Sequence, residues 1–349
     1  MRMQSQLKQN AWRDEIQKKP EKLPEKADKV RPVLVDSTVN AISTRAGWEI
    51  RRNEIRKKWM SYLGEIPQPN SPPVWKVLET DTKAGVLREL VEYEAEPGLP
   101  VQGYLLRPLP AKAKPAAKSI PAAVVLHSTV DYTIRQPAGL EGPEDKWIGL
   151  HLARRGYAAF CPKCYLWEYG EPKNILKAVS WLHRRHPMVR GMAKMLFDAI
   201  RAVDLLAALP EVNPRRIGSV GHSLGAKEVL YLAAFDERIR ATVSSEGGIG
   251  IGYSNWNAPW YLDSAIGQMQ PGLNHADLLA LVAPRAFLLM GGDSADGDIS
   301  WPYIEANLPV WKLTGNTQAI GNWNHRLGHA FPPAAMQHTL EWFDEHMQG

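Results

Sequence analysis

The stretch 216–248, RIGSVGHSLGAKEVLYLAAFDERIRATVSSEGG, narrows the choice of fold more than any other part of the chain. An apolar run ends at Val220, then comes Gly221-His222-Ser223-Leu224-Gly225, and AKEVLYLAAF continues at helical spacing. A G-x-S-x-G in that setting predicts a sharp turn from a strand into a helix. The flanking glycines permit the strained turn that holds a serine hydroxyl above a sheet edge. The helix that follows points its N-terminus at developing negative charge.

The rest of the chain supplies a matching frame. Strand-like runs fall at 122–127, 157–161, 216–220, 239–244, 285–290 and 317–323. Helical patterns lie between them, at 143–155, twice within 172–209, and at 226–235, 301–313 and 333–346. This alternation predicts an α/β fold with a mostly parallel central sheet and helices on both faces. Ahead of it, VWKVLETD, VLRELVEYEAE and VQGYLLRPLP read as antiparallel hairpins. A helix is expected over 43–63, with Ile50, Ile55, Trp59 and Leu63 on its apolar face. Residues 1–40 read as a charged N-terminal extension that wraps or frays, and 41–349 as a single catalytic domain.

Composition removes several function classes. The net charge of +5 is concentrated in the basic first 60 residues, but Glu15, Glu21, Glu25 and Asp28 interrupt that run. A solvated extension is expected there, not a nucleic-acid-binding arm. The two cysteines, Cys161 and Cys164, cannot furnish a four-ligand zinc site, which leaves structural thiols or one local disulfide. No apolar run approaches the roughly 18 residues of a membrane span. No signal-peptide core is visible in the chain as given, so the expectation is a cytoplasmic protein, or an exported one whose leader was removed. Thirteen tryptophans against six phenylalanines suit either a Trp-rich core or a site that stacks on sugar or aromatic rings.

The chemistry then asks for partners. A serine hydroxyl needs a base, and after such an elbow the base is a histidine late in the chain. His325 and His329 both lie in NWNHRLGHAFPP; His329 sits between the last strand and the last helix, and His325 is expected to contact substrate or support the site. Oxyanion donors are expected from the Leu224 amide and from His127, Ser128 or Thr129. The acid has rivals. Asp293, Asp296 and Asp298 lie in GGDSADGDISWP, where Ser300 also looks like a helix N-cap. Glu246 lies twenty-three residues past Ser223, between Ser245 and Gly247. Beyond it, IGYSNWNAPWYLD offers Tyr253, Asn255, Trp256, Trp260 and Tyr261 as substrate contacts, with His275, Trp167 and Trp301 as further rim residues.

From about residue 43 onward the sequence resembles the α/β-hydrolase superfamily, in GHSLGAKEVLYLAAFDERI, LLALVAPRAFLLMGG and GHAFPP. It is most similar to the dienelactone-hydrolase-like and acetyl-xylan-esterase-like carboxylesterases. A narrower similarity is to glucuronoyl esterases, carbohydrate esterase family fifteen, whose elbow reads G-C-S-R-x-G-K. The resemblance implies Glu246 of SSEGG as the acid, Lys227 as a sugar contact and His329 of GHAFP as the base. The family's arginine after the serine is Leu224 here. What the resemblance implies is a serine ester hydrolase for small-molecule or carbohydrate esters, without cofactor, metal, nucleic acid or membrane span. A peptidase, or a binding module on the same fold, are the alternatives.

Overall fold

Thr44 opens the first long element. In the computed structural model, which describes residues 11–36, 38–109, 116–170, 174–268 and 272–347, its hydroxyl accepts the Gly47 amide at 3.1 Å. That bond caps helix α1, Arg45–Leu63, and is worth about 1 kcal/mol. The helix buries Trp48, Ile55, Trp59 and Leu63. Ile50, expected on the same face, is 66% exposed. It stands five residues before Ile55, which at about 3.6 residues per turn puts it on another side of the helix.

Strands β1 (Trp75–Lys83), β2 (Val86–Glu96) and β3 (Leu99–Pro108) form the expected antiparallel meander. The alternating part follows as β4 (Ile120–Leu126), α2 (Ile148–Arg154), β5 (Ala158–Pro162), α3 (Tyr165–Glu168), α4 (Leu176–Arg185), α5 (Gly191–Ala208), β6 (Val212–His222), α6 (Leu224–Phe235), β7 (Ile239–Ser245), α7 (His275–Ala280), β8 (Ala286–Gly291), α8 (Trp301–Thr314), β9 (Ile320–Asn324) and α9 (Pro333–His346). All nine strands join one sheet in the order β1-β2-β3-β5-β4-β6-β7-β8-β9. From β5 to β9 every neighbouring pair is parallel. Every residue of β5 and β8 is buried, as a strand covered on both faces requires.

Tertiary pairing moves some element ends. Strand β6 begins at Val212, because Val212 pairs with Ile120 ahead of the apolar run. The helix expected at 143–155 divides into a 3-10 turn, Glu144–Lys146, and α2. Helix α7 has six residues, too few to show a period, and was not expected. The start of the 172–209 pattern and residues 1–10 lie outside the described residues.

Strand β4 is the switch point of the sheet, since the chain leaves it for β5 on one side and returns to β6 on the other. The crevice beyond the C-terminal ends of β4 and β6 is where such sheets bind ligands. Both the serine elbow and the 127–129 loop open there.

Described residues of the N-terminal stretch lie against this body. Trp12, Ile16 and Val33 are buried, and the Ile16 carbonyl accepts the Asn322 amide of edge strand β9 at 2.8 Å. A solvated extension does not describe this part: its few apolar residues cover a sheet edge.

Candidate active site

Ser223 joins β6 to α6 with φ 61° and ψ −115°, a left-handed backbone that costs a non-glycine residue about 1–3 kcal/mol. Close packing holds it there. A Cβ on Gly221 would come within 2.2 Å of the Gly225 carbonyl, and one on Gly225 within 2.1 Å of the Leu126 carbonyl oxygen. The glycines therefore let α6 start against the end of β4. The Ser223 amide donates to the Ser245 carbonyl at 2.9 Å, tying the elbow to β7. Leu224 begins α6, so its amide belongs to the unpaired first turn of the helix. The end of β4 brings His127, Ser128 and Thr129 beside that turn. The His127 ring is already committed: Nδ1 bonds the Ser128 carbonyl at 2.7 Å and Nε2 accepts the Cys164 amide at 3.1 Å. Burial pulls its pKa down to about 4, so the ring is neutral. The loop's other donors are its backbone amides and the hydroxyls of Ser128 and Thr129.

Glu246 follows the last residue of β7 and also has a left-handed backbone, φ 55°. Its carboxylate is fully buried. It accepts the Gly292 amide on Oε1 and the Ala295 amide on Oε2, the latter at 2.7 Å. The same Oε2 stands 3.1 Å from His329 Nδ1. Two backbone donors fix the carboxylate, and among the described residues its one side-chain partner is the imidazole. The His329 side chain is 43% exposed, and its ring lies 4.8 Å from that of His222, centroid to centroid. Burial holds the His222 pKa far down, which disfavours a charged ring at that position beside His329.

The three aspartates are occupied elsewhere. Asp296 is buried and accepts the Gly248 amide at 2.6 Å, the Ile249 amide at 2.9 Å and the Ser300 hydroxyl at 2.7 Å. Asp293 and Asp298 share Asn324 and Arg326. None of the three bonds His329 among the described residues.

On the other side of the elbow, Lys227 reaches up from the first turn of α6. Its ammonium donates to Ser254 Oγ at 2.8 Å and lies 4.0 Å over the Trp256 ring and 5.3 Å from that of Tyr261. Burial pulls its pKa down to about 7, with Asp296 opposing. A desolvated ammonium on an indole face gains about 2 kcal/mol from the ring quadrupole.

Comparison with known proteins bears on the fold that carries this site. Residues 111–259 match the dienelactone hydrolase family. YtaP of Bacillus subtilis (strain 168), a protein named for an inferred hydrolase activity, is 25% identical over 202 residues, or 55% of this chain and 63% of YtaP. The chain thus spans just under two thirds of that relative's length. A glucuronoyl esterase from Solibacter usitatus superposes with a TM-score of 0.73 at 18% identity, over 94% of this chain and 99% of that one. A promiscuous esterase of carbohydrate esterase family 15, from a marine bacterial metagenome, gives 0.69 at 16% identity, over 96% and 99%.

The chain has the α/β-hydrolase fold.

Within that fold, Ser223, His329, Glu246, Leu224 and the 127–129 loop gather at one end of the sheet. Several other expected positions are corrected. Trp256 is buried, donates Nε1–H to the Gly248 carbonyl at 2.7 Å and has a face covered by Lys227, so it supports the loop instead of presenting a platform. Tyr253 turns inward, its hydroxyl 2.9 Å from Ser300 Oγ. Trp301 and His275 are buried and form no rim; His275 lies between Trp59 and Trp256 and bonds Tyr231 at 2.9 Å. Ser300 does not cap α8 with its side chain, because a 3-10 turn precedes it and its hydroxyl serves Asp296. His325 Nδ1 accepts the Leu327 amide at 3.1 Å, shaping the turn that carries His329. Trp260 keeps a half-exposed face, and Trp167 stacks edge-on against His127. Both thiols are free and buried, so no local disulfide joins Cys161 and Cys164. Sequence reasoning missed His222 and Ser254. Nothing in a G-x-S-x-G motif marks its second residue as the neighbour of the base.

Proposed function

We propose that the chain is a serine ester hydrolase in which Ser223, His329 and Glu246 act as one unit. Ser223 Oγ attacks the ester carbonyl carbon while its proton passes to His329 Nε2. The carbonyl electrons move onto an oxygen held by the Leu224 amide and a donor of the 127–129 loop. Collapse breaks the bond to the alcohol, which leaves with the proton from His329. Water then repeats the attack on the acyl-serine, with His329 again the base, and frees the acid. Glu246 keeps Nδ1 protonated and stabilises the imidazolium at each stage. The observation that carries this reading is the His329 Nδ1–Glu246 Oε2 contact, on a carboxylate that also accepts two backbone amides.

The substrate class we infer is a carbohydrate-linked ester, of the acetyl-xylan or glucuronoyl type. The names of the structural neighbours support it, and so does a buried lysine four residues past the nucleophile, whose N–H groups can donate to a sugar oxygen. Trp260 and His325 are proposed to border the same crevice. No arginine follows the serine, so amides and hydroxyls carry the oxyanion here.

A fluorophosphonate probe tests the chemistry. Ser223 is expected to form a stable adduct in the native protein, absent in Ser223→Ala. Parallel turnover of acetylated xylan, benzyl glucuronate and feruloyl esters ranks the alcohols and acids. An unreactive Ser223 with no ester turnover contradicts the proposal, and cleavage of p-nitroanilides without p-nitrophenyl acetate favours a peptidase.

A further inference from the structure

The N-terminal segment runs from the far edge of the sheet to the loop above Lys227. Trp12 Nε1–H bonds Glu341 at 2.8 Å, and Ile16 fills the space at Gly321, where a Cβ would meet it at 2.5 Å. Gln17 donates to the Thr317 and Ile320 carbonyls at 2.6 and 2.8 Å, and Lys19 pairs with Glu305 at 3.0 Å. The segment then reaches Asp28, whose Oδ2 accepts the buried Tyr303 hydroxyl at 2.6 Å and the Gly252 amide at 3.3 Å. A Cβ on Gly252 would lie 2.1 Å from Asp28 Oδ1, so this approach is open only to glycine.

Gly252 sits in a short loop held at two points. From within, Asp296 takes the Gly248 and Ile249 amides. From outside, Asp28 takes Gly252, two residues before Ser254, the hydroxyl that receives the Lys227 ammonium. Ser254 packs closely on Gly248, so the two ends of the turn lie against each other. We propose that Asp28 is a positioning residue for this turn, and through it fixes where Lys227 Nζ stands for substrate. The claim about substrate rests on the esterase reading above; the claim about the turn does not.

Two readouts test it on the full chain. In Asp28→Ala, amide hydrogen exchange in 248–254 is expected to rise about tenfold, with peptides of β6, β7 and β8 unchanged. The KM for benzyl glucuronate is expected to rise about tenfold, while kcat on p-nitrophenyl acetate stays within about twofold. Asp28→Asn keeps an acceptor for Tyr303 and Gly252 and is expected to restore both values. In a Lys227→Met background, Asp28→Ala is expected to change KM no further, since both act through one contact. Unchanged exchange in 248–254, or a rise spread evenly over the sheet, overturns the proposal. If wild-type protein turns over no ester, the esterase reading fails while the exchange result still decides the role of Asp28.

Discussion

Two buried carboxylates stand one strand apart and do different work. Glu246, just past β7, accepts two amides from the loop after β8; Asp296, in the loop after β8, accepts two amides from the loop after β7. Each loop therefore holds the other's carboxylate. They part at the third ligand: Glu246 meets His329, and Asp296 meets Ser300. Burial, together with the nearby Glu246 charge, pushes the Asp296 pKa up, which suits a group that organises a loop and not one that faces an imidazolium. The loop after β8, the usual home of the acid in such folds, here cradles a carboxylate that follows the neighbouring strand β7.

Substitutions at the two positions sharpen that contrast. Glu246→Gln is expected to lower kcat by roughly 10³–10⁴-fold, the scale seen when a triad acid loses its charge and the imidazole takes the wrong tautomer. Asp296→Asn turns an N–H₂ toward buried donors, and each donor left unmet costs about 1–3 kcal/mol. Its main effect is expected in the denaturation midpoint, with kcat down by about tenfold through the displaced Glu246 cradle. Asp293→Ala and Asp298→Ala, which remove exposed or half-buried pairings to Asn324 and Arg326, are expected to stay within about twofold in kcat. Steady-state kinetics beside urea melts separates the three classes. A larger kcat loss at Asp298 than at Glu246 would reverse the comparison.

Most of the fold was legible because parallel strands covered on both faces leave continuous apolar runs, as AAVVL and AFLLM do. The elbow was legible because its glycines are dictated by contact with Gly225 and Leu126. Glu246 stood out as a carboxylate between an apolar strand and glycines, but local sequence could not choose between it and three aspartates. That choice depends on where the turn after β9 carries His329. The substrate loop was read less well. Trp256, Tyr253 and Trp301 look like ligand-stacking residues in one dimension, yet each is drawn inward by a partner distant in sequence: Lys227 across from Trp256, Ser300 for Tyr253, and the core for Trp301. The N-terminal stretch misled for the opposite reason. Its charge dominates its composition, while buried apolar side chains and polar contacts such as those of Gln17 and Asp28 hold it against the body.

The most direct test of the pairing is the His329 Nδ1 proton itself, observed by proton NMR under conditions that protonate the imidazole. A charge-assisted bond to a buried carboxylate should give one strongly deshielded, exchange-protected resonance. It is expected in wild type, Asp293→Ala and Asp298→Ala, and expected to vanish in His329→Ala and Glu246→Gln. A resonance that survives Glu246→Gln, or disappears on loss of Asp298 alone, would contradict the assignment of Glu246 as the partner of His329.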